Sequence, residues 1–291
     1  MLGDASDSGR PETGHDEAGA PRDAATSAPD VTPYPFDGGG PCKRGIATTL
    51  PPAVALAPTA SIPGVSWYYN WATKPTSGAD PNVEFEPMIW GSGSLPATIP
   101  SNARYLLGFN EPNLSASGSA DMTPQQAASD WPQVEALAGP LGIPIASPAV
   151  NLCSGDCVGA PDPYTWLQDF FSACSGCEVD FVAVHFYGCA LETTGPANDP
   201  TEWIGLEPYL ENFYRFGKPI WLTEFSCDAS QTVAAQTAYM QAAIPYLESN
   251  PHVYRYSWFS ASNIPNAMLQ EENGSLTSLG SVYASLPQSC K

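Results

Sequence analysis

The sequence predicts one α/β domain, a single (β/α)8 barrel, behind a disordered N-terminal tail. Eight short runs rich in β-branched and aromatic residues alternate with helix-like stretches after residue 42, which is typical of parallel β/α units. The body, residues 41–291, is close to the roughly 250 residues that such a barrel needs. Residues 1–40 contain almost no large aliphatic side chains, so we expect the fold to begin after them.

The tail is an acidic segment rich in Gly, Ala, Asp, Ser and Pro. Such a segment buries too little apolar surface to offset its ordering entropy, so we expect residues 1–40 to be a disordered linker. It has neither the basic nor the apolar region of a signal peptide, and we expect the export signal to lie upstream of Met1. This predicts a protein that is secreted or is tethered to the cell surface through the linker.

The predicted strands are short runs of Val, Ile, Tyr, Phe and Trp that end in turn residues. Because strands in a (β/α)8 barrel are parallel, their carboxyl ends meet at one face, and chemistry in this fold is found there. In chain order the predicted strands cover residues 43–48, 64–71, 84–91, 104–111, 143–150, 179–188, 218–225 and 252–260.

Four helices with recognisable ends are predicted between these strands. The first has an N-cap threonine and a first-turn proline, and it contains Pro132, which we expect to kink it. The third stops at Gly217, with a proline two residues further on, which is a typical C-terminal signal. The four helices are predicted to begin near Thr123, Asp162, Glu202 and Thr232.

The net charge of −20 limits the possible partners. An acidic surface repels phosphate backbones and anionic membranes, so we expect no nucleic-acid partner and a neutral substrate. No apolar stretch approaches the ~18 residues that span a bilayer, which predicts no transmembrane segment. The motifs of P-loop proteins, serine hydrolases and zinc proteases are absent from the sequence. We expect a monomer that needs no metal and no cofactor.

Two glutamates more than a hundred residues apart come at the ends of buried strands. Glu111 follows the apolar run LLGFN, and Glu224 follows PIWLT. In a (β/α)8 barrel these are the ends of strands four and seven, so both carboxylates should point into the same barrel mouth. A strand-end salt bridge is the alternative for either glutamate, but the chain has only ten Lys and Arg residues. The pattern therefore favours a pair of catalytic carboxylates.

The ordered set of motifs resembles the clan A retaining glycoside hydrolases and, within that clan, glycoside hydrolase family 128, the β-1,3-glucanases. The matching segments are SWYYNW, PMIWG, LLGFNEPN, VDFVAVHFYG and PIWLTEF. The resemblance implies an enzyme, a retaining endo-β-1,3-glucanase that acts on laminarin- or curdlan-type glucan. Two alternatives remain open: another clan A hydrolase acting on a β-1,4-linked polysaccharide, and a non-catalytic β-glucan-binding protein.

Retention requires two carboxyl groups ~5–5.5 Å apart with different roles. The resemblance implies that Glu224 is the nucleophile and Glu111 the acid/base. Glu224 must be ionised and Glu111 protonated at the first step, so we expect the pKa of Glu111 to be raised. We expect Asn110 to hydrogen-bond the 2-hydroxyl of the sugar being cleaved, with turn formation before Pro112 as its alternative role.

Further substrate contacts are predicted on four strands. His185 and Tyr187 lie two residues apart on strand six and share a face. The resemblance implies that Tyr187 bonds the nucleophile and that His185 lines the neighbouring subsite, with a buried core histidine as the alternative. We expect Trp90 and Trp258 to stack on sugar rings and Asn70 to be a polar partner in the cleft. Which of the strand-two aromatic residues face inward is left open.

Eight cysteines indicate disulfides and an oxidising compartment, although two closely spaced pairs nearly match a four-cysteine zinc site. In a barrel, residues that follow a strand lie over ~15 Å from those that precede one, too far for a disulfide. This leaves nine connectivities. Proximity in sequence and adjacent strand ends favour Cys153–Cys157, Cys174–Cys177, Cys189–Cys227 and Cys42–Cys290.

Overall fold

The computed structural model describes residues 42–48, 62–192, 205–262 and 264–288. The predicted linker lies outside this part of the chain, so the division into a tail and a body stays a prediction. The described residues form a parallel sheet with α-helices between its strands, which confirms the α/β class. The strands are β1 (Arg44–Ala47), β2 (Trp67–Tyr69), β3 (Glu84–Phe85), β4 (Val182–Phe186), β5 (Ile220–Phe225) and β6 (Val253–Phe259).

These strands form one sheet in the order β3–β2–β1–β6–β5–β4, and each of the five neighbouring pairs is parallel. The first and last strands, β1 and β6, are neighbours, so the two ends of the body meet in the middle of the sheet. Every residue of β1, β2, β4 and β5 is buried, as expected for parallel strands covered on both faces. The carboxyl ends of all six strands lie along one edge.

Two predicted strands, 104–111 and 143–150, are present as isolated parallel bridges instead of continuous strands. Prolines explain the interruption, because Pro87, Pro144 and Pro148 have no N–H to donate to a ladder. The carbonyls of Pro87 and Pro144 still accept backbone hydrogen bonds from the segment around Leu107. The bridges join Met88 to Leu107, Leu106 to Ile145, Asn110 to Ala149, Ala146 to Phe181, and Val150 to Val184.

Three of the four predicted helices begin where the sequence predicted, whereas the third begins at Leu206 instead of near Glu202. Thr123, Asp162 and Thr232 are N-caps whose side chains accept hydrogen bonds from backbone N–H groups in the first turn. The first helix continues through Pro132. The third is shorter than predicted and is followed by a 3₁₀ turn that ends at Gly217, whose φ of 64° is left-handed. The helices are α1 (Pro124–Ala138), α2 (Pro163–Ala173), α3 (Leu206–Glu211), α4 (Val233–Ser249) and α5 (Ser278–Ser285).

Apolar side chains cover both faces of the sheet. The larger cluster includes buried apolar residues of all five helices, and we call it the outer core. It contains Tyr68 and Leu222. The inner core, on the opposite face, contains Trp67, Tyr69 and Trp221. Alternation along β2 therefore directs Trp67 and Tyr69 inward, which answers the question that the sequence left open.

β5 does not alternate regularly, because its register shifts near its end against both neighbouring strands. Trp221 belongs to the inner core, and Glu224, three residues later, also bonds to an inner-core side chain. Leu222 and Phe225 lie in the outer core. The extra residue, Thr223, acts as a β-bulge that directs Glu224 inward.

Three of the four predicted disulfides lie within the described residues, and all three are confirmed. Cys153–Cys157, Cys174–Cys177 and Cys189–Cys227 have Cα separations of 5.2, 5.4 and 4.6 Å. Both pairs that nearly matched a zinc site are therefore oxidised. Cys42 is also disulfide-bonded, but Cys290 lies outside the described residues, so their pairing stays a prediction. Among the helices described, none is both long and apolar enough to cross a membrane.

Candidate active site

Glu111 and Glu224 leave the same edge of the sheet and meet there. Glu224 lies near the end of β5 and is only 4% exposed. Glu111 has a φ of 44°, a sparsely populated region for a residue other than glycine, and this turns the chain out of the sheet. Its carbonyl accepts the N–H of Leu114 at 3.1 Å, which closes the turn. One oxygen of each carboxylate lies within 4.8 Å of the other and of a ring nitrogen of His185.

Three neutral donors hold the Glu224 carboxylate. The Tyr69 hydroxyl and the Trp71 indole N–H each donate to Oε1 at 2.8 Å. The Tyr187 hydroxyl donates to Oε2. Burial, followed by the charge of Glu224, raises the pKa of Tyr69 and of Tyr187 well above the usual value, so both hydroxyls stay protonated. Trp71 reaches the carboxylate from a left-handed backbone with a φ of 58°.

Three side chains contact Glu111. The Asn151 amide donates from Nδ2 to Oε1 at 2.9 Å, and the Ser119 hydroxyl donates to Oε2 at 3.0 Å. His185 Nδ1 lies 2.9 Å from Glu111 Oε1 and 3.5 Å from Glu224 Oε2. His185 is completely buried, so it forms a bridge between the two carboxylates.

The acidities of the two carboxyls do not follow the predicted order. Burial raises the pKa of Glu111, but hydrogen bonds and charge from His185, with bonds from Ser119 and Asn151, outweigh it, and the pKa is lowered. At Glu224 burial is the largest effect; His185 opposes it and Glu111 adds to it, and the pKa is raised. Burial lowers the pKa of His185, but the two carboxylates outweigh it, and the pKa is raised. The predicted raised pKa of Glu111 is therefore wrong, because His185 is bonded to Glu111.

Four other predicted residues surround the pair. Tyr187 and His185 contact the carboxylates directly. Asn110 is buried; its Nδ2 donates to the Gly118 carbonyl at 3.1 Å, whereas its Oδ1 has no hydrogen-bond partner in the described part of the chain. Trp90 is half-buried and packs against the inner core. The contacts of Asn110 and Trp90 with substrate stay predictions.

The prediction that Trp258 stacks on a sugar is wrong. Trp258 has no exposed surface, lies in the outer core, and donates its indole N–H to the Ala267 carbonyl at 2.9 Å. Alternation along β6 directs the next residue, Phe259, to the inner face, where its ring contacts Trp71 and Tyr187 at centroid distances of 5.7 and 5.5 Å. Phe259 is the aromatic residue of β6 that lies beside the site.

Asn70 makes local hydrogen bonds with its side chain, and its contact with substrate stays a prediction. Its Nδ2 donates to the Lys74 carbonyl and to Thr76 Oγ1, at 3.2 and 2.8 Å, and its Oδ1 accepts the N–H of Ala72. These bonds form an Asx-type turn that ends β2. The neighbouring Trp71, on the parity that faces inward, is the residue that reaches Glu224.

Four contacts of the carboxylates were not predicted. Tyr69 and Trp71 were undecided, because the sequence does not say which parity of β2 faces inward. Asn151 directly follows the predicted strand 143–150, so its position at a strand end was a signal that could have identified it. Ser119 lies in the loop after Glu111, and nothing in its sequence context distinguishes it from other serines.

Glu111, His185 and Glu224 also form the group of donors closest to a metal-ligand set within the described residues. The donor atoms that face one another are already hydrogen-bonded, however. Both oxygens of Glu224 accept hydrogen bonds from tyrosine or tryptophan donors, and His185 Nδ1 faces Glu111. A cation would have to displace these bonds, so the donor set fits a hydrogen-bonded pair of carboxyls better than a metal centre.

Comparisons with known proteins agree on one family. The sequence profile of the glycosyl hydrolase catalytic core matches residues 55–283. A family 128, subgroup II, endo-β-1,3-glucanase from Sorangium cellulosum is 40% identical, with a TM-score of 0.72 over 84% of this chain and 99% of that chain. A subgroup I endo-β-1,3-glucanase from Amycolatopsis mediterranei, solved with laminaritriose, is 30% identical, with a TM-score of 0.64 over 84% and 99%.

A curated relative, alkali-sensitive linkage protein 1 of Schizosaccharomyces pombe, is 29% identical over 258 residues. The match covers 84% of this chain but only 44% of the relative, so the chain spans less than half of that protein.

Proposed function

Since this chain belongs to the glycosyl hydrolase catalytic core family, within glycoside hydrolase family 128, and is a glycoside hydrolase, we propose that it is a retaining endo-β-1,3-glucanase. The observation that carries the proposal is the environment of Glu224. This carboxylate is buried and fixed by three neutral donors, and it faces a second carboxyl that is bonded to His185. Neutral donors orient a nucleophile without pairing it permanently with a cation.

In the proposed first step, an oxygen of Glu224 attacks the anomeric carbon while the bond from that carbon to the glycosidic oxygen breaks. Glu111 donates its proton to the departing oxygen. In the second step, Glu111 accepts a proton from water, whose oxygen attacks the anomeric carbon and releases Glu224. Two inversions at the same carbon give overall retention.

The proposed reaction requires the proton to reside on Glu111 before the attack, whereas hydrogen bonds from His185, Ser119 and Asn151 lower the pKa of Glu111. We propose that a bound substrate raises it. The Glu111 side chain is 14% exposed and that of Glu224 only 5%, so a bound sugar removes more water from Glu111. Desolvation raises the pKa of Glu111 selectively. His185 lies within 3.5 Å of an oxygen of each carboxylate. It is therefore proposed to pass the proton between Glu224 and Glu111.

We further propose that the sheet closes into the (β/α)8 barrel. Isolated parallel bridges support this, since they link the segment after β3 to Leu107, then to Ile145, and finally to Phe181 and β4. Together with the named strands they give eight parallel segments in cyclic order. Closure would make the inner core the barrel interior and would place Glu111 and Glu224 at its mouth.

The proposed substrate is a linear β-1,3-glucan. The relatives from Sorangium and Amycolatopsis are endo-β-1,3-glucanases, and one was solved with laminaritriose. The net charge of −20 is compatible with a neutral polysaccharide. The buried Oδ1 of Asn110 lacks a partner among the described residues. It is proposed to accept a hydrogen bond from the 2-hydroxyl of the sugar at the cleavage point. Trp90 is proposed to stack on a neighbouring ring.

We propose that the enzyme is a secreted or surface-tethered monomer. Three confirmed disulfides support an oxidising compartment.

The test is hydrolysis of laminarin and curdlan compared with mannan, xylan and cellulose. We expect activity on the first two only, internal cleavage seen as a mixture of oligosaccharides, and release of the β-anomer first, measured by proton NMR. Preferential hydrolysis of a β-1,4-linked polysaccharide would assign the chain to another substrate class. Binding of laminarin without turnover would indicate a non-catalytic glucan-binding protein.

A further inference from the structure

We propose that Asn151, fixed in place by Asn113, is a positioning residue that keeps Glu111 Oε1 as an acceptor and so directs the catalytic proton to Oε2. The inference rests on the proposed role of Glu111 as the acid/base. It begins from the last residue of the NEPN segment, Asn113, for which the predicted chemistry has no use.

Asn113 and Asn151 hold each other through two hydrogen bonds. Asn113 Nδ2 donates to the Asn151 carbonyl at 2.7 Å, and the Asn151 N–H donates to Asn113 Oδ1 at 3.1 Å. Asn113 is only 1% exposed, and both the nitrogen and the oxygen of its side-chain amide take part in this pairing. It ties the loop after Glu111 to the segment that follows residues 143–150.

The orientation of the Asn151 amide follows from its other contacts. Its Oδ1 accepts the N–H of Leu152 at 2.8 Å, so the opposite end of the amide, Nδ2, must face Glu111. An amide NH₂ group donates hydrogen bonds and does not accept them. His185 Nδ1 lies 2.9 Å from the same oxygen and donates to it when the ring is protonated there. Asn151 therefore holds Glu111 Oε1 as an acceptor, and a proton placed there would weaken the bond from Asn151.

The second oxygen of Glu111 has a different neighbour. Ser119 lies 3.0 Å from Oε2, and a hydroxyl can donate to a carboxylate or rotate to accept from a carboxylic acid. When Glu111 is the acid, its proton is therefore favoured on Oε2, where Ser119 can accept a hydrogen bond from it. When Glu111 is the base, Ser119 can donate to the unprotonated Oε2. Both states occur in the proposed reaction. The Asn113–Asn151 pair keeps the orientation of Glu111 the same in both, while the Ser119 hydroxyl rotates.

The experiment compares substrates that need the general acid with one that does not. In Asn151→Ala, kcat/KM for laminarihexaose should fall by about 10- to 100-fold, because the acid is no longer held in place. For dinitrophenyl β-laminaribioside, whose leaving group departs without protonation, kcat/KM should stay within about threefold of the wild type. The value of kcat/KM depends only on the steps up to release of the first product.

A second variant and a control keep the outcome clear. Asn151→Leu keeps most of the side-chain volume without adding a charge, and it cannot donate to Glu111; it should show the same selective loss. Asn250→Ala is the matched control, since Asn250 is 7% exposed and its Nδ2 donates to two tyrosine hydroxyls away from the carboxylates. It should lower the melting temperature and leave the ratio of the two kcat/KM values unchanged.

Equal losses on both substrates in the two Asn151 variants, or no loss on either, would overturn the positioning role. A wild-type enzyme that does not cleave laminarihexaose would instead overturn the proposed function.

Discussion

Two groups of carboxylates among the described residues are neutralised in opposite ways. Near the beginning of β6, Arg255 bonds Glu86 at 2.6 Å and lies 3.4 Å from Glu84, with its guanidinium over four aromatic rings. At the carboxyl ends of the strands, Glu111 and Glu224 have His185 between them. Among the described residues, neither of these two forms an ion pair with Lys or Arg.

The difference lies in whether the compensating charge can be removed. A guanidinium stays protonated at any working pH, so the positive charge of Arg255 is permanent. An imidazole and two carboxyls can each gain or lose a proton, so the His185 group has several accessible states. The first arrangement stabilises the fold, whereas the second leaves charge available for chemistry. The following predictions test this distinction, from the largest expected effect to the smallest.

Removing the nucleophile should have the largest effect. Glu224→Ala should lower kcat by about 10⁴-fold or more on every substrate, because no covalent intermediate can form. Initial rates on laminarin and on an activated aryl glycoside would be measured. Added azide should act as an external nucleophile and give a product with the inverted α configuration. A retained product would assign the nucleophile to Glu111.

Removing the acid/base should have a smaller and more selective effect. Glu111→Ala should lower kcat/KM on laminarin by about 10²- to 10⁴-fold and spare the first step for dinitrophenyl glycosides. Azide should restore turnover of the dinitrophenyl substrate, because it attacks the glycosyl-enzyme without a general base, and the product should be the β-glycosyl azide. Equal loss on the two substrate classes would contradict this role.

Breaking the fixed charge group should affect stability. Arg255→Met should lower the free energy of unfolding by about 3–5 kcal/mol, since it leaves Glu84 and Glu86 buried without a cation. Urea unfolding of this variant would be compared with that of Arg215→Met, whose arginine is exposed. The control should change by less than about 0.5 kcal/mol. A similar small change in both variants would mean that the buried group does not stabilise the fold.

Neutralising Glu224 should stabilise the folded protein. Its pKa is raised on folding, so its contribution to stability is complete below the unfolded value of about 4.5 and is lost as the pH rises through the folded value. Glu224→Gln should therefore increase the free energy of unfolding by about 1 kcal/mol at pH 7, and the gain should vanish toward pH 4. Thermal melts across this range, with exposed Glu272→Gln as the control, would test the sign. A gain that persists at pH 4 would contradict the electrostatic cause.

Much of the molecule follows from local patterns. Three N-caps, the strand ends that deliver Glu111 and Glu224, and the pairings Cys153–Cys157 and Cys174–Cys177 depend on residues that are close in sequence. The cysteines of Cys189–Cys227 are 38 residues apart, but their pairing could still be predicted from the order of the strands. Each of these cysteines comes shortly after a strand. Such features need only the periodicity of a strand, the chemistry of a helix end and the parallel arrangement of neighbours.

Other features were decided by contacts between distant segments. Thr223 forms a bulge because the registers of β4 and β6 do not match that of β5, and this directs Glu224 inward. The inner position of Phe259 and the outer position of Trp258 depend on which face of β6 the helices cover. The acidities of Glu111 and Glu224 depend on His185, which lies 74 residues from Glu111. The sequence alone therefore predicted which residues come to the edge of the sheet. Their direction and their charge were decided by the tertiary structure, because both depend on neighbours that only folding brings within a few ångströms.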